Sequence, residues 1–219
     1  MSLTGLTGLT DLADNLPIRT VMTDDPMRAR MLAAHWLENA KALFELRGMI
    51  GYAGSYKGAE LTLMAVGYGE SAALLYLRDA CLLGIRRVVY MGECIARVPG
   101  VKLRDLIFAH GGDAALTGCA LAASSQLSIP AAVRHVTTND HLFLDKSGVS
   151  GDIVDFASGA VARFAVEQGI AALSVLTVSQ NTATGERMEQ HERQSRFHDA
   201  ARITFETLAM DAGITASPK

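Results

Sequence analysis

The chain has 219 residues, 49% of them apolar and 20% charged, with 20 Gly, 5 Pro, 3 Cys and a formal charge of −3. That mix suits a single domain sharing one core and excludes disorder and collagen-like order. The slight negative charge leaves no basic footprint, which argues against nucleic acid or an anionic membrane surface as the main partner and for a small molecule.

Residues 1–17 read as an N-terminal extension; they repeat Leu-Thr-Gly twice and lack the basic start and apolar core of a secretory leader, so a cytoplasmic location is expected. Residues 18–213 are taken as the domain and 214–219 as a tail. Residues 18–22 predict a short buried strand, and Asp25 followed by Pro26 predicts a capped helix running to about residue 40. Residues 60–67 predict a strand, 71–83 a helix stopped by Gly84, and 86–91 a strand rich in β-branched residues. Strands are expected at 102–109, 131–137 and 171–179, with a helix at 153–168 closed by Gly169. The last helix, about 186–211, carries a polar face in Glu186, Glu189, Glu192 and Arg193. The uncharged run 114–133 has the length of a membrane span. Gly118, Ser124, Ser125, Gln126, Ser128 and Pro130 make it too polar for lipid and too broken for a continuous buried helix.

This alternation predicts an α/β layer fold with a largely buried sheet, in which ligands sit beyond the carboxyl ends of the strands. Residues 23–25, 67–70, 92–94 and 179–181 therefore mark the expected site. Cys81, Cys94 and Cys119 form no Cys-x-x-Cys pair and read as reduced, apolar filler. The six histidines are scattered, and His191 and His198 would stand about 10 Å apart along a helix, too far for one ion. No metal and no cofactor is expected. Neither a nucleophile elbow, a P-loop nor a dinucleotide fingerprint is present, and Gly67-Tyr68-Gly69 reads as a tight turn after a strand.

Two motifs carry a resemblance: Met22-Thr23-Asp24-Asp25-Pro26-Met27-Arg28-Ala29-Arg30, then Arg47-Gly48-Met49-Ile50-Gly51-Tyr52 with Gly54-Ser55-Tyr56-Lys57-Gly58. With Val101-Lys102-Leu103-Arg104-Asp105, Leu176-Thr177-Val178-Ser179 and Glu192-Arg193-Gln194 in the same order, the chain resembles the bacterial hexameric purine nucleoside phosphorylases of the nucleoside phosphorylase superfamily. The likeness spans roughly residues 21–210 and is interrupted between Asp113 and Ala131, where a segment is missing. It implies a mixed central sheet flanked by helices, assembly into dimers grouped as a hexamer, and cleavage of the bond between ribose and nucleobase by phosphate. By position, Arg28 matches the phosphate-binding arginine, Arg47 the arginine that reaches a neighbouring subunit's phosphate, and Arg193 the arginine that assists protonation of the departing purine. Guanidinium groups suit these roles because they bind oxyanions through paired donors.

The departures from that pattern alter the chemistry. Asp24 stands where the resemblance implies a glycine approaching phosphate, and Tyr90 and Glu93 stand where it implies a second arginine and a serine or threonine. A carboxylate about 4 Å from another anion costs on the order of 4 kcal/mol at an effective dielectric near 20, roughly a thousandfold against phosphate. In Val154-Asp155-Phe156-Ala157, Ala157 replaces the glutamate that holds ribose hydroxyls, and Gln180 replaces the aspartate that protonates the purine. Gln180 with Asn181 could instead face a carbonyl-rich ring, Tyr68 replaces a methionine beside the sugar, and Phe143 supplies an aromatic wall.

Three functions follow as expectations. The first is altered chemistry on a nucleoside or nucleoside-like small molecule, such as hydrolysis, with Glu93 or Asp24 as general base or electrostatic group, aided by Arg193. Its binding residues would be Arg28, Arg47, Tyr68, Tyr90, Phe143, Phe156, Gln180 and Asn181. The second is a phosphorylase whose losses are compensated by other residues. The third is a binding or scaffold protein in which Asp24 and Glu93 pair internally with Arg28 and Arg47.

Overall fold

In the computed structural model, residues 5, 7–11, 15–141, 150–195 and 197–216 are described. Among them, a mixed sheet runs in the order β2-β3-β4-β1-β5-β10-β6-β7. Its members are β1 (Arg19–Thr23), β2 (Glu38–Leu46), β3 (Met49–Tyr56), β4 (Ala59–Ala65), β5 (Arg87–Ala96), β6 (Leu106–Ala109), β7 (Ala131–Arg134) and β10 (Ala171–Asn181). The short strands β8 (Thr137–Thr138), β9 (Ile153–Asp155) and β11 (Glu186–Arg187) pair at its margins.

Strands β4, β1, β5 and β10 run parallel, so their carboxyl ends lie along one edge. Each is buried on both faces. Along β5, Val88, Tyr90 and Cys94 enter one core cluster while Val89 and Met91 enter the other, the period of two that a pleated strand imposes. Helices α2 (Glu70–Leu82) and α4 (Ser158–Gln168) cover the first face. Helices α1 (Pro26–Trp36), α3 (Ala114–Leu127) and α6 (His198–Ala216) cover the second, and a single turn, α5 (Gln190–Ser195), precedes α6.

Several element predictions need correction. Helix α1 ends at Trp36 rather than near residue 40, because Leu37 is already extended and Asn39 takes φ 55° as the chain turns into β2. The hairpin of β2 and β3 went unpredicted as strands. The 114–133 run does contain a continuous helix, buried along one face only: Asp113 caps α3 by accepting from the Leu116 N–H, and Leu116, Cys119, Ala120 and Ala123 are buried. A mid-helix glycine costs only about 1 kcal/mol, which packing against α6 offsets. Residues 153–168 split into β9 and α4, and 186–211 into β11, α5 and α6. Strand β6 starts at Leu106, not at residue 102.

At the amino ends of β1 and β5, Asp211 of α6 is buried between two guanidiniums. Arg19 Nε lies 2.8 Å and Arg87 Nε 2.6 Å from its carboxylate, and Arg19 also reaches the Asp211 carbonyl at 3.2 Å. The N-terminal segment also packs on the fold: Thr7 donates through its N–H (3.0 Å) and hydroxyl (2.6 Å) to the buried Asp79 of α2, and Leu9 is buried in the core.

Candidate functional site

The carboxyl ends of β1, β4, β5 and β10 bring together Asp24, Tyr68, Glu93 and Ser179, one residue from each of the strand ends singled out in the sequence. The turn after β4 needs Gly67 (φ 82°) and Gly69 (φ 94°), left-handed conformations that a side chain resists. Between them Tyr68 is raised over the strand ends. Asp140 Oδ2 accepts the Glu70 N–H at 3.1 Å and so closes the start of α2 beside this turn. In β10, Ser179 is the extra residue of a bulge between Val178 and Gln180, a device that re-aims a side chain next to a site.

Two buried charge pairs fill the space between these strand ends. Asp25 caps α1 by accepting from the Met27 and Arg28 N–H groups, which fixes the first turn. Asp24 and Arg28, one helical turn apart, form an ion pair with both side chains 2% exposed. Arg28 also donates to Thr23 Oγ1 at 3.2 Å and to the Arg193 carbonyl at 2.9 Å, and its guanidinium lies 4.2 Å from the Phe197 ring centre. Glu93, fully enclosed, accepts from Tyr68 Oη at 2.7 Å and Arg193 Nε at 2.8 Å.

The two carboxylates titrate differently for physical reasons. Burial pushes Asp24 up to about 6 against the pull of Arg28, with Glu93 adding repulsion. Burial also raises Glu93, but hydrogen bonds from Arg193, Ser179 and Tyr68 outweigh it, leaving Glu93 below the usual carboxylate range. Its hydrogen bond to Glu93 raises Arg193, so that guanidinium keeps its proton. Burial, with Asp24 and Glu93 nearby, pushes the Tyr68 phenol up. At neutral pH two carboxylates face two guanidiniums.

Tyr68 and Arg193 are the members of this cluster that reach an open cleft of about 530 Å³, whose other lining residues are Asp25, Arg187, Met188, Glu189 and Gln190. Tyr68 is 52% exposed, and the Phe156 ring meets it edge-on at 6.3 Å and 77°.

Other predicted residues take different places. Tyr90 is 2% exposed in the core, packed against the backbone at Gly92, so it cannot line the cleft as expected. Asn181 is buried and fully engaged: Nδ2 donates to the Val98 and Val101 carbonyls, and Oδ1 accepts from Ala183 and Thr184. The expectation that it meets a ligand is corrected; it builds the turn into β11. Gln180 stands exposed opposite Arg187 in the β10–β11 ladder. Arg47 does not pair with Asp24 or Glu93 within the chain, and its Nη1 reaches the Thr7 carbonyl at 3.2 Å. Glu93 pairs instead with Arg193. Ala157 is buried at the start of α4, where Asp155 accepts from the Ala157 and Ser158 N–H groups. Phe143 lies outside the described residues. Among the described residues no group of His, Cys, Asp and Glu could hold a metal ion, and no helix is long and apolar enough to cross a membrane.

No family model matches the chain. A DeoD-type purine nucleoside phosphorylase of Aliivibrio salmonicida (strain LFI1238) is 28% identical over 217 residues, covering 85% of this chain and 91% of that protein. One from Tolumonas auensis (strain DSM 9187 / NBRC 110442 / TA 4) is 29% identical over 220 residues, covering 87% and 92%. The crystal structure of purine nucleoside phosphorylase from Toxoplasma gondii in complex with immucillin-H superposes with a TM-score of 0.83 over 92% of this chain and 93% of that one, at 17% identity. In sequence the chain is similar to purine nucleoside phosphorylases, and it shares the fold of one. Within this mixed sheet the strand-end cluster that holds Asp24 and Glu93 is the candidate site. The chain distance of 100 residues between Glu93 and Arg193 hid their pairing from sequence reasoning. Ser179 was marked by its strand end and by the motif that ends on it, and Arg187 carried no signal.

Proposed function

We propose that the chain binds a nucleoside-like small molecule in the cleft beside Tyr68 and Arg193 and cleaves its glycosyl bond without inorganic phosphate. One observation carries this reading. Arg28, the residue matched to the phosphate-binding arginine, is neutralised by a buried Asp24, and the neighbouring position holds the buried carboxylate of Glu93. An incoming oxyanion would meet two carboxylates in a poorly solvated space.

In this mechanism water attacks the anomeric carbon and gives up a proton to solvent, the carbon–nitrogen bond breaks, and the base leaves with the electron pair and then takes a proton from solvent. Arg193 keeps its own proton and offers a hydrogen bond to the charge developing on the departing base, with Glu93 holding the guanidinium in place. Glu93 is enclosed and has both oxygens engaged, so it acts by positioning rather than as the base that meets water. Assembly into dimers or a hexamer belongs to the same proposal, by analogy with the family.

A second reading, a binding protein without turnover, is favoured by that same enclosure of Glu93. Incubating purified protein with a nucleoside panel, with and without phosphate, and following base release by chromatography separates the readings. Release without phosphate supports the first, and binding without release supports the second. Release that requires phosphate overturns both and returns the chain to the activity for which its relatives are named.

A further inference from the structure

The cleft holds a second guanidinium outside the charge cluster. Arg187 sits on β11, and its side chain makes no hydrogen bond or ion pair among the described residues. The nearby arginines differ: Arg28 pairs with Asp24, Arg193 with Glu93, Arg104 with Glu192 and Arg163 with Glu70. Arg187 is exposed, but the hairpin carrying it is firmly built. Asn181 braces its turn with four hydrogen bonds, the Met188 N–H donates to the Ser179 carbonyl at 2.8 Å, and Met188 is 3% exposed. In the same cleft, Arg193 spends Nε on Glu93, while its terminal nitrogens donate to no described residue.

We infer that the cleft's ligand is a nucleoside-like molecule bearing an oxyanion substituent, phosphoryl or carboxylate, read by the Arg187 guanidinium. The inference rests on the nucleoside-like ligand proposed above and specifies its class. Asp25 and Glu189 place two carboxylates in the same lining, so a free oxyanion gains little there. An oxyanion tethered to a body that fills the cleft is different, because the body sets the group against Arg187 and the guanidinium binds it through paired donors. The alanine at position 157 fits as well: a hold on the substituent substitutes for the lost hold on ribose hydroxyls.

Isothermal titration calorimetry of the full chain at pH 7.5 provides the test, using the nucleoside, the 5′-monophosphate and the 5′-carboxylate of each common base, with inorganic phosphate alone as control. At least one charged derivative should bind about 10- to 100-fold more tightly than its parent nucleoside, with the gain shrinking as salt rises. Phosphate alone should bind weakly. Arg187→Ala should erase the gain while leaving parent nucleoside binding in place, and Arg187→Lys should keep part of it, because it retains charge without the fork. The phosphate and carboxylate arms tell which oxyanion is preferred. Equal affinities within every series, absence of binding in every series, or a gain that survives Arg187→Ala overturns the inference. Phosphate-dependent base release would overturn the proposed reaction while leaving this affinity ratio to stand or fall by itself.

Discussion

Asp24 and Arg28 face each other across the first turn of α1, both 2% exposed, so the arginine that the resemblance assigns to phosphate already has an anion at its side. The pair is local in sequence, formed within one helical turn.

Removing the two carboxylates should reopen the site to phosphate. In Asp24→Gly combined with Glu93→Ser, Arg28 and Arg193 lose their partners, and inorganic phosphate should bind at least tenfold more tightly than to the parent chain. Calorimetry at pH 7.5 reads this directly. Tight phosphate binding by the unmodified chain would contradict the neutralised-pocket account.

Asp24 also predicts a pH effect on stability. Burial raises it from 3.8 to about 6 in the folded chain, so the folded state binds more protons than the unfolded state between those values. Its contribution to stability therefore falls as pH rises through that window. Asp24→Asn lacks this slope, and the unfolding free energy of the variant relative to the parent should rise by up to about 3 kcal/mol from pH 4 to pH 7. Urea unfolding at both pH values checks this, and a constant difference would place Asp24 in a solvated setting.

Glu93→Gln keeps the shape of the site but loses the charge that holds Arg193. Turnover should fall about 10- to 100-fold with little change in ligand affinity, since Tyr68 retains an acceptor. Steady-state kinetics on whichever substrate the panel identifies would show the split between kcat and KM.

Asn181→Ala takes the side-chain donor from the buried Val101 carbonyl and from the part-buried Val98 carbonyl, and removes the brace of the β11 turn. A loss of roughly 2–4 kcal/mol in unfolding free energy is expected. A change below 0.5 kcal/mol would mean that Asn181 is not the structural residue its contacts make it.

The parallel strands at β1, β4, β5 and β10 were legible because residues buried on both faces produce apolar runs, and their carboxyl ends marked where the candidate cluster gathers. The β2–β3 hairpin was not, since β2 is exposed for most of its length and carries no apolar run. Helix α3 was hidden by Gly118 and by serines whose hydroxyls the fold satisfies, as Ser124 does on the Ile129 carbonyl at 2.6 Å. At the site, Asp24 with Arg28 follows from helical spacing. Glu93 with Arg193 depends on chain-distant packing, and Tyr90 and Asn181 could be recognised as structural only once their neighbours were known.

The Arg19–Asp211–Arg87 clamp gathers α6, β1 and β5 at the pole of the sheet opposite the cleft. Much of the cohesion of these elements is thereby invested far from the ligand, which gives the mouth evolutionary latitude. Polar residues there can be exchanged, as a glycine for Asp24 or a serine for Glu93, without loosening the scaffold that carries them.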